Sequence, residues 1–494
     1  MSLYDVAIVG CGVIGAAIAR ELSRYDISVV VLEKEADVSF GVSKANSGII
    51  HGGFHHPPSS LKARLEIRGN LMYDRLKEEL HFPFKRCGIL VAAFTEEELK
   101  TVSLLYDQGK ANGAAGIEIC NRNRMLSLEP KLNPDVVGGL HAPGGGITEP
   151  YRFVFSLVES AQKNGVRLLT EYRVSGSERK NGRMIIGSGD GRRVEARFVV
   201  NAAGLSADRV SEMLGGETFT LIGRKGEEYL MDRNAKAYTS RVVFPVPSPI
   251  SKGILVIPTV EGTTMVGPTA EAVEDRNDVS TSADNFEKIF YHARRLVPAV
   301  SERDIITAFS GIRPALPDGD FLIGVSAGNP LLVQAAGIQS PGLTAAPAIA
   351  EYVRELLSKA GLELSPDPSY DPNIERLDRL RQMSLSEADE CVEKNRSFGE
   401  IVCRCETVSE AEIVEAIRKG HTTLDGIKFY TRAGMGRCQG GFCTYKIMKI
   451  LQRETGISFD RITKRGGESR LLLNEIGEPD GGGLPASGRN ERRH

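Results

Sequence analysis

Charge of either sign in excess is missing from this chain: 62 lysines and arginines nearly cancel 64 aspartates and glutamates, leaving a formal charge of −2 over 494 residues. No overall field therefore recruits nucleic acid or an acidic membrane surface. Long apolar runs are missing too. Nothing approaches the roughly 20 consecutive apolar residues of a transmembrane helix, so no such helix is expected. A basic leader with an apolar core and a cleavage site is not seen either, because the first apolar run, 5–9, already belongs to a folded motif. The expected compartment is the cytoplasm, although attachment to the face of a membrane through a partner would leave no trace here. Scattered cysteines are the last absence. Half of the eight crowd into one late segment, unlike the disulfide framework of a secreted domain.

What is present begins at the N-terminus, in a chain long enough for two or three domains. Asp5-Val6-Ala7-Ile8-Val9 reads as a strand, and Gly10-Cys11-Gly12-Val13-Ile14-Gly15 turns it into a helical pattern over 16–24. G-x-G-x-x-G between a strand and a helix is a dinucleotide-binding pattern. Gly10 permits the tight turn, Gly12 lets the backbone approach a pyrophosphate, and Gly15 lets the helix pack against the strand. The helix start, at Val13 and Ile14, offers free amides and a partial positive charge to the phosphates. A second apolar run, 28–32, ends at Glu33-Lys34, and an acid about twenty residues past the glycines suits a ribose hydroxyl pair. An ordinary Gly-rich turn would not bring strand, helix and acid together. The motif leaves FAD and NAD both open.

Between 41 and 56 the residues are small: Gly41-Val42-Ser43-Lys44-Ala45-Asn46-Ser47-Gly48-Ile49-Ile50-His51-Gly52-Gly53-Phe54-His55-His56. Such a backbone can lie close to a flat ligand while Ser43, Asn46 and Ser47 supply polar groups and Gly48 supplies room. This segment resembles the flavin-facing loop of the D-amino-acid oxidase superfamily of FAD enzymes, which includes glycerol-3-phosphate dehydrogenases and L-2-hydroxyglutarate oxidases. The run from Asn46 to His51, with Ser60-Leu61-Lys62-Ala63-Arg64 after it, is especially similar to the hydroxyglutarate branch. A histidine near a substrate hydroxyl can act as base near neutral pH, so His51 is the candidate base, against the commoner fate of a structural hydrogen-bonder. His55 and His56 read as solvent-facing.

Farther on, periodicity predicts a helix over 61–80, a strand over 84–93, a helix over 95–112 capped by Thr95, and a Gly- and Pro-rich crossing between domains at 138–150. Cys87 and Cys120 read as buried fillers. A helix over 151–164 is followed by strands near 166–170 and 172–174. Arg197-Phe198-Val199-Val200-Asn201-Ala202-Ala203-Gly204 is a strand ending in a turn that resembles a second nucleotide contact of the superfamily, through Ala203 and Gly204. That favours FAD over NAD, and the resemblance places Val174 beside the adenine. The stretches 223–232, 253–259 and 263–269 alternate as antiparallel strands of a substrate domain. In Gly311-Ile312-Arg313-Pro314, Arg313 is a fixed cationic fork suited to carboxylate or phosphate, and the resemblance implies that it holds the substrate anion, with Arg224 or Lys225 assisting. A strand over 331–334 leads into Ala335-Ala336-Gly337-Ile338-Gln339-Ser340-Pro341-Gly342-Leu343-Thr344 and a helix over 345–359. This resembles the closing FAD motif, which implies that Gly337, Gly342, Leu343 and Thr344 meet the reduced ring, whose negative charge a helix N-terminus stabilises.

A polar, charged linker with short helices fills 366–399. Beyond it stand Cys403-Arg404-Cys405 and Cys438-Gln439-Gly440-Gly441-Phe442-Cys443, separated by a helix over 409–419. Four thiols in two close pairs make a metal site, with Cys403, Cys405, Cys438 and Cys443 as ligands. Zinc is the generic candidate. The spacing resembles the bacterioferritin-associated-ferredoxin type of [2Fe-2S] module, and beside a flavin only such a cluster could carry electrons. Arg404, Lys428, Arg432 and Arg437 would offset thiolate charge.

The expected architecture is α/β: a Rossmann-like FAD-binding domain with an inserted antiparallel-sheet substrate domain, of the D-amino-acid oxidase type, and a small α-rich [2Fe-2S] domain. The FAD parts are about 1–85, 145–215 and 320–365, the substrate parts 86–144 and 216–319, the [2Fe-2S] domain 400–456, and 457–494 a cap and flexible tail. Joined in this way, the parts resemble the A-subunit type of anaerobic glycerol-3-phosphate dehydrogenase. That resemblance implies oxidation of sn-glycerol 3-phosphate to dihydroxyacetone phosphate, an electron-accepting partner subunit or quinone, and an oligomeric or heteromeric complex. A 2-hydroxy acid, an amine or imino acid, and a purely electron-transferring subunit are the other readings.

Overall fold

A computed structural model describes residues 3–248 and 252–472; the part of the cap and tail beyond Leu472 lies outside the described residues. The strand Leu3–Val9 is buried along most of its length, as a near-continuous apolar run in a parallel sheet should be. It pairs in parallel with Val29–Leu32 on one edge and with Arg193–Asn201 on the other. Arg167–Leu169 extends the sheet beyond Val29–Leu32, again in parallel. The long strand Arg193–Asn201 is shared: its first half pairs with the hairpin strand Arg183–Ser188, and its last three residues pair in parallel with Leu332–Ala336. Three sequence-distant segments thus meet at one sheet, with their carboxyl ends on the same side. Helices Val13–Leu22 and Gly342–Lys359 pack together against it.

The second sheet has nine strands, in the order Glu271–Val273, Ile222–Met231, Thr264–Gly267, Leu255–Pro258, Val242–Pro245, Ile89–Ala93, Gly138–Ala142, Glu118–Asn121, with Ile305–Ala315 lying along Ile222–Met231. It is antiparallel except where Val242–Pro245 runs parallel to Ile89–Ala93. Those two strands come from separate excursions of the chain, so no hairpin dictates their relative direction.

Several expectations shift in detail. The helix Leu61–Leu80 starts at Ser60, whose hydroxyl accepts the Ala63 amide. The expected strand over 84–93 breaks into Phe84–Lys85 and Ile89–Ala93, because Gly88 takes a left-handed φ of 79° between them. The 138–150 stretch is more than a crossing: Gly138–Ala142 joins the large sheet and Gly146–Thr148 joins a small one with Ile49–Ile50 and Phe84–Lys85. The last nucleotide helix begins at Gly342, three residues earlier than its periodicity, so Leu343 and Thr344 sit in its first turn.

The connecting segment is strapped to the body rather than free. Asp367 donates its amide to the Arg24 carbonyl, Ile374 to Glu79, and Lys163 pairs with Asp371. It contains the helix Leu385–Lys394, closed by a Ser384/Glu387 capping box. Behind it, the helices Glu410–Arg418, Leu424–Thr431 and Thr444–Thr455 share one apolar core with the nucleotide half, in which Ile413, Ile427, Tyr430 and Leu451 are fully buried together with Ile18, Phe153 and Phe155.

Candidate active site

Strand parity builds the site. Along Ile222–Met231, side chains alternate between faces, so Arg224, Gly226 and Glu228 point one way while Lys225 and Glu227 point the other. Arg313 is the register partner of Arg224 and Gly311 that of Gly226, which puts Arg313 on the same face. Lys225 is accordingly turned away and pairs with Asp278 at 2.9 Å. Of the two helpers expected for Arg313, only Arg224 lines the cavity. Gly311 faces the 42–48 loop so closely that a side chain there would collide with the Ala45 carbonyl.

The cavity has a volume of about 510 Å³ and runs from the glycine turn to Arg313. At one end stand Gly12, Val13 and Ile14, with Ser43, whose Oγ accepts the Val13 amide at 2.9 Å. Asn46, Ser47, Gly48 and His51 line one side, and Gly204, Gly337, Gly342 and Leu343 close the rest. Gly10 and Gly15 lie beneath the turn, where a side chain on Gly15 would collide with the Gly10 carbonyl. Glu33 is buried and its carboxylate accepts amides from Cys11 at 2.6 Å and Glu35 at 2.9 Å. Lys34, Val174, Ala203 and Thr344 also stand off the lining; Lys34 pairs with Glu35, Val174 packs in the sheet core, and Thr344 Oγ1 accepts the His51 amide at 2.9 Å.

His51 is held by its backbone, with its carbonyl accepting from Asn70 Nδ2 at 2.7 Å. Its Nε2 lies 3.1 Å from Ser340 Oγ, and its buried Nδ1 has no partner. Burial pushes His51 well below the ordinary imidazole value, and the charge of Lys252 pushes the same way, so the ring is neutral at pH 7. His55 and His56 do not face solvent: both line the cavity, because the Gly52-Gly53 turn folds them back and Phe244 packs on His55. Lys252, which the sequence did not single out, donates to Ser340 Oγ at 3.3 Å, and burial lowers its pKa while Glu66 opposes that shift. Burial also raises Glu66, and its Oε1 accepts the Gly53 amide at 2.6 Å. Glu228 is a second unforeseen group. Burial raises its carboxyl to about 7, against the hydrogen bond from Ser47 and the charge of Arg313. Arg313 donates to the carbonyls of Thr269 at 2.6 Å and Arg224 at 3.2 Å, and burial lowers it to about 10, still protonated at pH 7. Period-two reading from Arg224 could have found Glu228; no local pattern marks Lys252.

The four late cysteines come together. Cys403 and Cys405 Sγ are 3.8 Å apart, Cys405 and Cys438 Sγ 3.9 Å, and the Cys403 and Cys443 thiols interact directly. Among the described residues no three His, Cys, Asp or Glu side chains are grouped as ligands of a single metal ion. Gly436 crosses so near that a side chain would meet Cys405 Sγ at 2.5 Å. Arg432, expected to offset thiolate charge, is buried between carboxylates instead, 2.9 Å from Glu406 and in contact with Glu149.

A cavity that starts at a glycine turn and a helix N-terminus fits a dinucleotide, and His51, whose buried Nδ1 has no partner, lines the same space. Four thiols without other ligand types fit an iron-sulfur cluster. Comparison agrees on both counts: residues 5–356 match the family described as FAD dependent oxidoreductase (DAO), and residues 401–453 match the BFD-like [2Fe-2S] binding domain. The chain belongs to the DAO family of FAD dependent oxidoreductases and carries a [2Fe-2S] binding domain behind the catalytic part. Its cofactors are FAD and a [2Fe-2S] cluster.

Among characterised proteins it is similar to a glycerol 3-phosphate dehydrogenase of Caloramator mitchellensis, 40% identical over 95% of this chain and 98% of that one. A glycerol 3-phosphate oxidase of Mycoplasma genitalium is 31% identical over 76% of this chain and 98% of its own length. The L-2-hydroxyglutarate dehydrogenase of Arabidopsis thaliana is 28% identical over 71% and 82%. The solved L-alpha-glycerophosphate oxidase of Mycoplasma pneumoniae, dithionite reduced and with FAD bound, superposes with a TM-score of 0.73 at 30% identity, covering 76% of this chain and all of the other. No described helix is long and apolar enough to cross a membrane.

Proposed function

We propose that this chain oxidises sn-glycerol 3-phosphate at C2 to dihydroxyacetone phosphate and delivers the two electrons, by way of its [2Fe-2S] domain, to an acceptor outside the chain. The observation that carries the reading is one buried cavity in which a neutral imidazole, His51, faces the cations Arg224, Lys252 and Arg313. An anionic alcohol satisfies both ends of such a cavity. Length supports the same choice: the glycerol 3-phosphate dehydrogenase relative aligns over 95% of the chain, including the cysteine-bearing part, whereas the Arabidopsis hydroxyglutarate relative covers 71%.

In this reading the neutral imidazole of His51 takes the proton from the C2 hydroxyl, and Ser340 Oγ, 3.1 Å from its Nε2, fixes the ring. Arg313 has Nε and Nη2 tied to carbonyls, which aims the rest of its fork at the phosphate, and Lys252 adds a second charge. FAD, bound along Gly12–Ile14, 43–48, Gly204 and 337–344, supplies the two-electron acceptor. Glu33, Lys34, Val174 and Ala203 are assigned to its adenosine end, beneath which Gly10 and Gly15 shape the turn. Cys403, Cys405, Cys438 and Cys443 hold the cluster. The acceptor is a partner protein or quinone, and peripheral contact with a membrane would come through that partner.

Anaerobic bleaching of the flavin at about 450 nm tests the substrate. Glycerol 3-phosphate should bleach it, and L-2-hydroxyglutarate and proline-like amines should not. Bleaching by one of the latter alone would replace the substrate, and bleaching by none would make the chain an electron-transfer subunit.

A further inference from the structure

The unit that holds the four cysteines presents a one-signed face. From Gly426 to Arg453 there is no aspartate or glutamate, while Lys428, Arg432, Arg437, Lys446, Lys449 and Arg453 all fall there, in a chain whose total charge is near zero. Arg432 is used inside, and Arg453 pairs with Glu410 and Glu454. Lys446 and Lys449 are exposed, as are Arg404 between the first two cysteines and Arg437, which lies 3.5 Å from Asp232.

Two aromatic rings stand among them. Phe442 is 83% exposed and Tyr445 57%. Tyr445, Lys446 and Lys449 make an exposed stripe on the helix Thr444–Thr455, whose opposite side buries Ile447, Met448, Ile450 and Leu451, and Phe442 stands just before its N-cap, Cys443. Lys449 Nζ lies 4.6 Å from the Tyr445 ring centre. Phe442 lies within the ligand loop itself, between Cys438 and Cys443. Of the four cysteines, Cys405 and Cys438 are partly exposed, whereas Cys403 and Cys443 are buried. An aromatic centre with a cationic rim, carried on the loop that supplies two of the four cysteines, suits a brief encounter steered by opposite charge.

We propose that this stripe is the docking surface for a small electron-carrier protein whose own redox centre is ringed by acidic side chains. The proposal rests on the dehydrogenase reading above and names its acceptor. Each oxidised alcohol releases two electrons and two protons. Two oxidised carriers dock in turn and each leaves reduced by one electron, while the protons pass to solvent.

The test uses the full-length holoenzyme and a plant-type [2Fe-2S] ferredoxin as the acidic probe, with cytochrome c as the basic control. Photoreduced ferredoxin donating into the oxidised holoenzyme uses the same contact in reverse and needs no substrate, so a wrong substrate would leave the outcome untouched. The rate should fall at least about tenfold from low to high salt, and Lys446→Glu with Lys449→Glu should lower it by about tenfold or more and flatten the salt dependence. Phe442→Ala should broaden fewer resonances of ¹⁵N-labelled ferredoxin, a binding readout independent of turnover, with iron and sulfide content unchanged. Equal rates and equal binding in parent and double variant, or tighter binding of cytochrome c, would overturn the proposal. So would loss of binding to phosphatidylglycerol vesicles in the double variant with ferredoxin binding unchanged, which would make the stripe a membrane contact.

Discussion

His51 is fixed through its backbone by Thr344 and Asn70 and through its ring by Ser340, so its orientation is set before any substrate arrives. Replacing it with Asn keeps the size and removes the base. Substrate-driven bleaching should slow by about 10²–10⁴-fold while flavin content stays at the parent level, read by stopped-flow absorbance. Arg313→Lys keeps a charge and loses the fork anchored on Thr269 and Arg224. KM for glycerol 3-phosphate should rise by about one to two orders of magnitude with a smaller change in kcat. Burial lowers Lys252, so in the free enzyme it gives up its proton at a lower pH than an ordinary lysine. A charge needed for phosphate binding is present below that pKa and lost above it. kcat/KM should therefore fall on the alkaline side below the usual lysine range, and Lys252→Met should lower the plateau and abolish that limb.

At the level of elements, the strand Ile222–Met231 sorts its charges by parity, and the turns around it are set by close approaches. Gly15 and Gly436 are the two that matter most. In Gly15→Ala the new methyl meets the Gly10 carbonyl, which is backbone and can move only if helix Val13–Leu22 moves with it. Stability should drop by about 1–3 kcal/mol and purified protein should carry less FAD, measured by thermal melting and by the 280 to 450 nm absorbance ratio. Gly436→Ala places its methyl against Cys405 Sγ instead, far along the chain from the nucleotide turn. Iron and acid-labile sulfide should fall while flavin content and substrate bleaching remain. Opposite losses in the two variants would separate the two cofactor sites.

Across the whole molecule, three glutamates and four arginines tie the parts together. Arg432 and Glu406 from the cysteine-bearing unit meet Glu149 from the nucleotide half, Arg233 and Glu261 from turns of the large sheet, and Arg379 and Arg381 from the connecting segment. Removing one partner strands the others in a buried place, so Arg432→Met should cost about 3–5 kcal/mol, visible as a lower melting temperature and faster proteolysis of the C-terminal unit. What could be read along the chain was local chemistry. The glycine turn with its strand and helix, the small-residue loop to His51, the cationic fork of Arg313 and the paired cysteines each declare themselves within a few residues, because turn geometry, helix capping and ligand spacing are short-range constraints. Lys252 and Ser340 were not legible as site residues, nor was the raised pKa of Glu228 or the retreat of Lys225 to the far face. Their roles depend on which distant strands pair and in what register, and on how much water that pairing excludes from a lysine or a carboxyl. The same holds for Arg432: its sequence neighbours suggested a counter-charge for thiolates, and only the packing of three separate segments around it turned it into the centre of a buried ion network. Local order followed from neighbouring residues; the fate of each charge was decided by long-range contacts, since burial and opposing charge come from parts of the chain hundreds of residues away.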